Sequence, residues 1–212
     1  AASGSGNISF TASNTFTAPV SSTFTVTPTF TYLDKGCTGP SEEFVIWVNP
    51  AGQVNEIGHQ RLCNGEITIP VIFETNNTGG TTTYAWSIDE NIGSPLIGTD
   101  DMPSFTAVNN GNTPVVATIT VIPTFENGGT SCEGESKEFT ITVDPTPVIT
   151  SPSSITICSD EKIDYEIKSN VENTTFRWTA QNTVGTVAGW PVGTVTGTYI
   201  NDLLTNIDQA DG

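Results

Sequence analysis

The sequence predicts an all-β protein, built as tandem antiparallel β-sandwiches of about 95 residues per repeat. Three observations lead there. One stretch is spelled twice, VTPTFTYLDKGCTGPSEEFVIWVNP at 26–50 and VIPTFENGGTSCEGESKEFTITVDP at 121–145. Cys37, Gly39 and Pro50 are answered by Cys132, Gly134 and Pro145 at one constant offset, and a fixed period with few gaps marks repeated structural units. Thr and Val, which suit strands, are abundant beside Gly, Asn and Pro, which suit turns. Short apolar–polar alternations recur with turn residues between them and without helical periodicity.

Taken in order, residues 1–8 are small and polar and read as loop. SFTASN at 9–14 matches SFTAVN at 104–109, and VSSTFTVTPTF at 20–30 matches VVATITVIPTF at 115–125. Period-2 alternation turns Phe24 and Val26, and in the copy Ile119 and Val121, toward a core. Pro28 and Pro123 are expected to cap these strands, because proline cannot donate to a ladder. Gly-rich loops holding cysteines follow. In FVIWVNP and FTITVDP, the residues Phe44, Ile46 and Val48 and their copies Phe139, Ile141 and Val143 are assigned to the core. Val45 and Trp47 lie opposite, where the copy has Thr140 and Thr142. Trp47 is there either covered by a loop or as a surface contact with a neighbouring domain or partner.

Asn49-Pro50 and Asp144-Pro145 read as junctions. RLCNGE at 61–66 corresponds to TICSDE at 156–161, after which the register slips by about three residues. IPVIFET at 69–75 then answers KIDYEIKS at 162–169, and TTYAWSI at 82–88 answers TTFRWTA at 174–180. Trp86 and Trp178 thereby become the expected centres of sandwich cores. INDLLTN at 200–206 stands where the other copy has SFTAVN. The resulting division is the C-terminal part of a preceding repeat (1–50), a complete sandwich (51–145) and the N-terminal part of a following repeat (146–212). Incomplete sandwiches leave bare edges and an uncovered apolar face. The expectation is that the chain is a piece of a longer protein, or that adjacent molecules complement each other by strand donation.

Six Lys plus Arg stand against 23 Asp plus Glu, a net charge of −17. That argues against nucleic acid as a partner, whose phosphates need basic side chains, and against an anionic membrane surface. No apolar run approaches the roughly 20 residues of a membrane helix. His59 is the single histidine, sits in a turn-like stretch and reads as a surface residue. No nucleophile–base–acid set is evident, so no catalytic residue and no enzymatic activity are assigned. Asp89 and Glu90, with Asp100 and Asp101, flank the loop SIDENIGSPLIGTDD and would face each other if 92–98 formed an excursion. They read as a solvated acidic loop or as a calcium site, since a hard cation wants several close oxygens. Calcium is the one cofactor considered. Cys37, Cys63, Cys132 and Cys158 are disulfide candidates in an oxidising compartment. Cys37–Cys63 with Cys132–Cys158, or Cys63–Cys132, would each span opposite ends of a standard sandwich, beyond the reach of under 7 Å between Cα atoms. The pairing stays open, with partners in neighbouring units.

The phrases VTPTF, CTGP, FTITVDP, CNGE, NTGGTTTYAW, NTPVVATITV and GTVTGTYINDLLTN resemble the PKD-like, immunoglobulin-like repeats of giant cell-surface gliding adhesins of Bacteroidetes. The resemblance covers nearly the whole chain. It implies export by the type IX secretion system, display on the outer cell surface and movement by a motor complex. It supplies no catalytic residues. The expected function is therefore a non-enzymatic adhesin repeat segment, a stalk that holds a binding tip away from the cell. Its expected partners are neighbouring repeats, components of the secretion or gliding machinery, and surface polysaccharide. The rival is a carbohydrate-binding or accessory module of a secreted enzyme, with Trp47, Trp190 and Tyr199 as candidate platforms.

Overall fold

A computed structural model describes Gly6 and residues 8–207, and these form strands and loops without a helix. The best-covered core lies between residues 54 and 143. Its sheet contains β5 (Gln60–Cys63), β6 (Thr81–Ile88), β7 (Ile97–Thr99), β8 (Val115–Asn127), β9 (Thr130–Glu133) and β10 (Lys137–Asp144). The spatial order is β5-β10-β8-β6-β7, with β9 pairing the far end of β8. Neighbours run antiparallel except β5 and β10, which are parallel.

Alternation decides which face is dry. Tyr84, Trp86 and Ile88 of β6, Ala117, Ile119 and Val121 of β8, and Phe139, Ile141 and Val143 of β10 are all buried. Facing them are Val54, Val71, Phe73, Ile92, Met102 and Ala107. This second layer is mostly irregular backbone joined by the bridges Ile67↔Thr106 and Val71↔Met102. The stretch 69–75 thus buries its apolar positions without becoming a regular strand.

Before this core, β1 (Val20–Val26) pairs antiparallel with β4 (Glu42–Val48), and β2 (Thr29–Tyr32) forms a hairpin with β3 (Lys35–Thr38). Phe10, Phe24 and Phe44 stack at 6.0 and 5.1 Å. Nothing described covers that stack. Phe44 is 42% exposed where Phe139 is 0% exposed. The assignment of Phe44 to the core is thereby corrected, while Ile46 and Val48 are half-buried. The alternation is right, but among the described residues no opposing layer covers it.

After the core come short pairs. β11 (Glu161–Lys162) and β14 (Val187–Ala188) each pair with β17 (Leu203–Asn206). β12 (Tyr165–Glu166) pairs with β16 (Tyr199–Ile200), and β13 (Arg177–Trp178) with β15 (Val195–Thr196). Trp86 donates its indole N–H to Asp100 O at 3.1 Å, whereas the indole N–H of Trp178 is buried without a partner.

Local geometry recurs at the offset seen in the sequence. Val20↔Val48 through Phe24↔Phe44 repeats as Val115↔Val143 through Ile119↔Phe139. Gly39 N–H donates to Pro28 O and Gly134 N–H to Pro123 O, both at 2.9 Å. The Asn14 side-chain amide donates to the carbonyls of Ala18 and Val48, and that of Asn109 to those of Thr113 and Val143. The tight turns also correspond. Leu33 and Asp34 have φ of 46° and 63°, Gly128 and Gly129 of 61° and 74°, the left-handed pair that a two-residue hairpin turn requires.

Pro123 departs from its expected role as a cap, because β8 runs straight through it to Asn127. β8 exchanges neighbours there: Val121 is its last partner to β10 and Thr124 its first to β9. The Pro123 carbonyl points to that side, accepting from Gly134. Since N and C=O of one strand residue face the same way, the missing N–H falls in the gap between partners and costs no ladder bond. Pro28 does lie between strands, after β1 and before β2.

Candidate functional site

A cavity of 880 Å³ opens where the 8–50 segment meets the core. Ile46, Trp47, Val48 and Asn49 form one wall, and Asn127, Thr130 and Cys132 another. Asparagine side chains tie the walls together. The Asn49 amide donates to Asn127 O at 2.9 Å and Thr130 O at 3.3 Å, while the Asn127 amide donates to Asn49 Oδ1 at 3.0 Å. Thr78 N–H donates to Thr17 O at 2.8 Å, and the Asn77 amide reaches Thr17 O and Ala51 O. At the opposite end of the core, the Asn170 amide donates to Asn112 Oδ1 at 2.7 Å and the Asn64 amide to Thr146 Oγ1 at 3.1 Å. The sequence reading missed these asparagines. The signal was present in Asn49-Pro50 and in the Asn14/Asn109 correspondence. Turn-forming propensity obscured it.

Trp47 is 64% exposed on this cavity, at the bare edge of β4 rather than under a loop. Of the other two aromatics considered as a sugar platform, Tyr199 is half-exposed and Trp190 partly covered. They lie on elements remote in sequence from Trp47.

The four acidic residues do not converge. The excursion after β6 spans 89–96, and β7 then returns antiparallel beside β6, so that Asp100 N–H donates to Tyr84 O. Asp100 and Asp101 are carried about four residues down the ladder from Asp89 and Glu90, on the order of 13 Å at ~3.3 Å per residue. Two of the carboxylates already hold backbone. Asp89 accepts from Thr118 N–H at 2.6 Å and Asp101 from Phe73 N–H at 2.9 Å. Among the described residues no group of three or more His, Cys, Asp or Glu side chains is placed to hold a metal ion. The structure thus does not bring Asp89, Glu90, Asp100 and Asp101, the residues considered for calcium, into one cluster.

All four cysteines are free thiols. Cys37 pairs with Phe30 across the β2–β3 hairpin, and Cys132 with Phe125 across β8–β9. Cys63 and Cys158 each begin a turn whose glutamate bonds back to the cysteine N–H, Glu66 at 2.7 Å and Glu161 at 3.0 Å. His59 Nδ1 accepts Thr140 N–H at 2.9 Å, which commits its lone pair to β10. The Thr140 hydroxyl, 3.1 Å away, therefore has no free base there. Arg61 forks onto Asp144 with bonds of 2.8 and 2.9 Å. That contact holds the Asp144 carboxyl below its ordinary range and raises the Arg61 guanidinium. Lys137 bonds Glu56 and lowers its carboxyl in the same way. Burial pushes the Tyr84 phenol up.

No helix among the described residues is long and apolar enough to cross a membrane. Residues 155–211 match the family model of a PKD-like domain. No curated protein matches the chain. Within its all-β structure the chain carries a PKD-like, immunoglobulin-like module.

Proposed function

We propose that the chain is a non-enzymatic stalk segment of a secreted, SprB-like gliding adhesin of Bacteroidetes, exported by the type IX secretion system and displayed on the outer cell surface. On this reading the unit is a tandem PKD-like sandwich of about 95 residues, complete over 51–145 and partial on either side. The observation that supports it most is the recurrence of one hydrogen-bond framework at that offset: Asn14 and Asn109, Gly39 and Gly134, Cys63 and Cys158. Units with their own cores that touch only their neighbours suit a protein that transmits tension along its length. Asparagine side chains bonded across both ends of the core would limit bending there. The partners on this reading are adjoining repeats and the secretion or gliding machinery, with surface polysaccharide as the adhesive target of the parent. Antibody raised against the purified chain is expected to label intact source cells and to move along them during gliding. Label confined to permeabilised cells would sink the proposal.

A further inference from the structure

One rung of the core sheet is made by a side chain. β5 pairs parallel with β10 from Ile141↔Gln60 to Asp144↔Cys63. One residue earlier on each strand, Thr140 N–H donates to the imidazole, at His59 Nδ1, over 2.9 Å. The strap that leads into β5 has three further ties. Asn55 N–H donates to Glu74 O at 2.8 Å, and Glu56 is bonded to Lys137 at the start of β10. The Gln60 amide fits the backbone of Ile69, donating to its carbonyl and accepting its N–H, each at 2.9 Å. Residues 56–60 thereby close one side of a 310 Å³ groove whose other side is Ile69, Pro70, Val71 and Ile72. Val54 is buried at the head of the strap, and Ile57 packs partly buried against the core.

An Nδ1 that accepts a hydrogen bond must be bare, so the neutral ring carries its proton on Nε2. Histidine is the side chain that takes up a second proton in mildly acid solution. That proton can go only to Nδ1, where it would meet the Thr140 N–H, and two donors cannot share one contact. The protonated ring has an acceptor at hand in Thr140 Oγ1, 3.1 Å away. We propose that His59 is an acid-released latch on the 55–59 strap. When neutral it holds the backbone of β10. When protonated it turns to the Thr140 hydroxyl and gives the backbone N–H up to water. The bond exists only while Nδ1 is bare, so its contribution is present in neutral solution and lost as pH falls.

The other ties do not answer to the same signal. Asn55 and Gln60 do not titrate. The Glu56 carboxyl is held below its ordinary range by the bond to Lys137 and by its charge, so that tie lasts into more strongly acid solution. The remaining charges nearby are also engaged. Arg61 is forked onto Asp144, Glu138 accepts from the Thr120 hydroxyl of β8, and Asp89, across β8, holds the Thr118 N–H. Glu74 meets the strap through its carbonyl, and the facing stretch 69–72 carries no charge. Mild acid therefore acts on a single rung. Its loss confines the parallel pair to Gln60–Cys63 and frees the strap over Ile57 to move off the groove.

Every atom of the latch lies within the 54–143 core, and the inference does not rest on the adhesin reading, so absent cell-surface labelling leaves it untouched. The test is amide hydrogen exchange of the isotope-labelled full chain from about pH 8 to about pH 5, corrected for the intrinsic pH dependence, with the imidazole nitrogen shifts followed in the same samples. The expected result is a ring protonated on Nε2 at the upper end. Protection of the Thr140 amide should fall about fivefold or more across the imidazole titration, while the amides of β8 keep theirs. His59→Asn, whose Oδ1 accepts without titrating, should hold the Thr140 amide at both ends of the range. His59→Leu should lose it at both. A Thr140 amide equally protected throughout in the parent, a proton on Nδ1 at the upper end, acid loss in His59→Asn like that of the parent, or protection kept in His59→Leu would each overturn the proposal.

Discussion

Gly134 is where the backbone packs most closely, and replacing it by alanine tests whether the two copies of the repeated stretch are equivalent in three dimensions. A methyl group built on Gly134 would lie 1.8 Å from Gly52 O and 2.6 Å from its carbonyl carbon. Neither atom is the end of a flexible side chain, so the chain at 50–52 or strand β9 must move. Gly52 cannot retreat freely, because a Cβ at Gly52 would itself sit 2.4 Å from Pro123 O. Forced backbone shifts of this kind cost about 1–3 kcal/mol. The Gly52 N–H···O=C Cys132 bond of 3.1 Å would be lost as well, at about 1 kcal/mol. The expected destabilisation is about 2–4 kcal/mol, a fall in the main calorimetric transition of roughly 10–20 °C for a unit of this size. Gly39→Ala is the control. Its nearest neighbour is the ring carbon Pro28 Cγ at 3.1 Å, and the change should stay within about 0.5 kcal/mol. Equal melting of Gly134→Ala and the parent would refute the reasoning from close approach. Equal losses in both variants would mean that 8–50 is packed as 103–145 is.

Phe139→Ala should cost about 3–5 kcal/mol by urea denaturation, whereas Phe44→Ala, already 42% exposed, should cost well under half as much. Asn109→Ala strips the buried Val143 carbonyl, the part-buried Thr113 carbonyl and the Gly111 N–H of their partner. It should lower stability by about 2–4 kcal/mol, with Asn109→Asp failing to rescue because a carboxylate cannot donate. Asp144 is held below its ordinary value of 3.8 by Arg61. Its contribution is therefore complete above that value and lost as pH falls through the lower folded value. Asp144→Asn should remove that part of the acid dependence of the urea midpoint while leaving the midpoint near neutral pH almost unchanged, as fits an exposed pair. Calcium added to the chain, and chelator added after it, should leave the melting temperature where it was.

Much of the fold was legible because alternation is a local signal. Ile119, Val121, Phe139, Ile141 and Val143 were read as inward-facing and are fully buried. Trp86 was read as the core centre and is buried. The same pattern at Phe44, Ile46 and Val48 could not report whether another layer lies opposite, since burial depends on residues far away in the chain. Pro123 was misread because a ban on proline inside ladders holds only where a partner waits for its N–H. The carboxylates of 89–101 look clustered along the chain, but β7 turns back and separates them. Asparagines that bond across the ends of the core read as ordinary turn residues, for their contacts lie 58 to 82 positions away.

The parallel pairing of β5 with β10 has a mechanical consequence. Under a pull from Pro50 and Pro145, force enters β5 from its N-terminal side and leaves through the C-terminal end of β10. The two strands are then dragged past each other along their own axes, in shear. All of the bonds joining Gln60–Cys63 to Ile141–Asp144 resist at once, along with the Arg61–Asp144 fork at the loaded end. An antiparallel terminal pair loaded at the same end would instead peel open one bond at a time. The orientation of one four-residue strand thus decides whether the unit yields as a block or as a zipper.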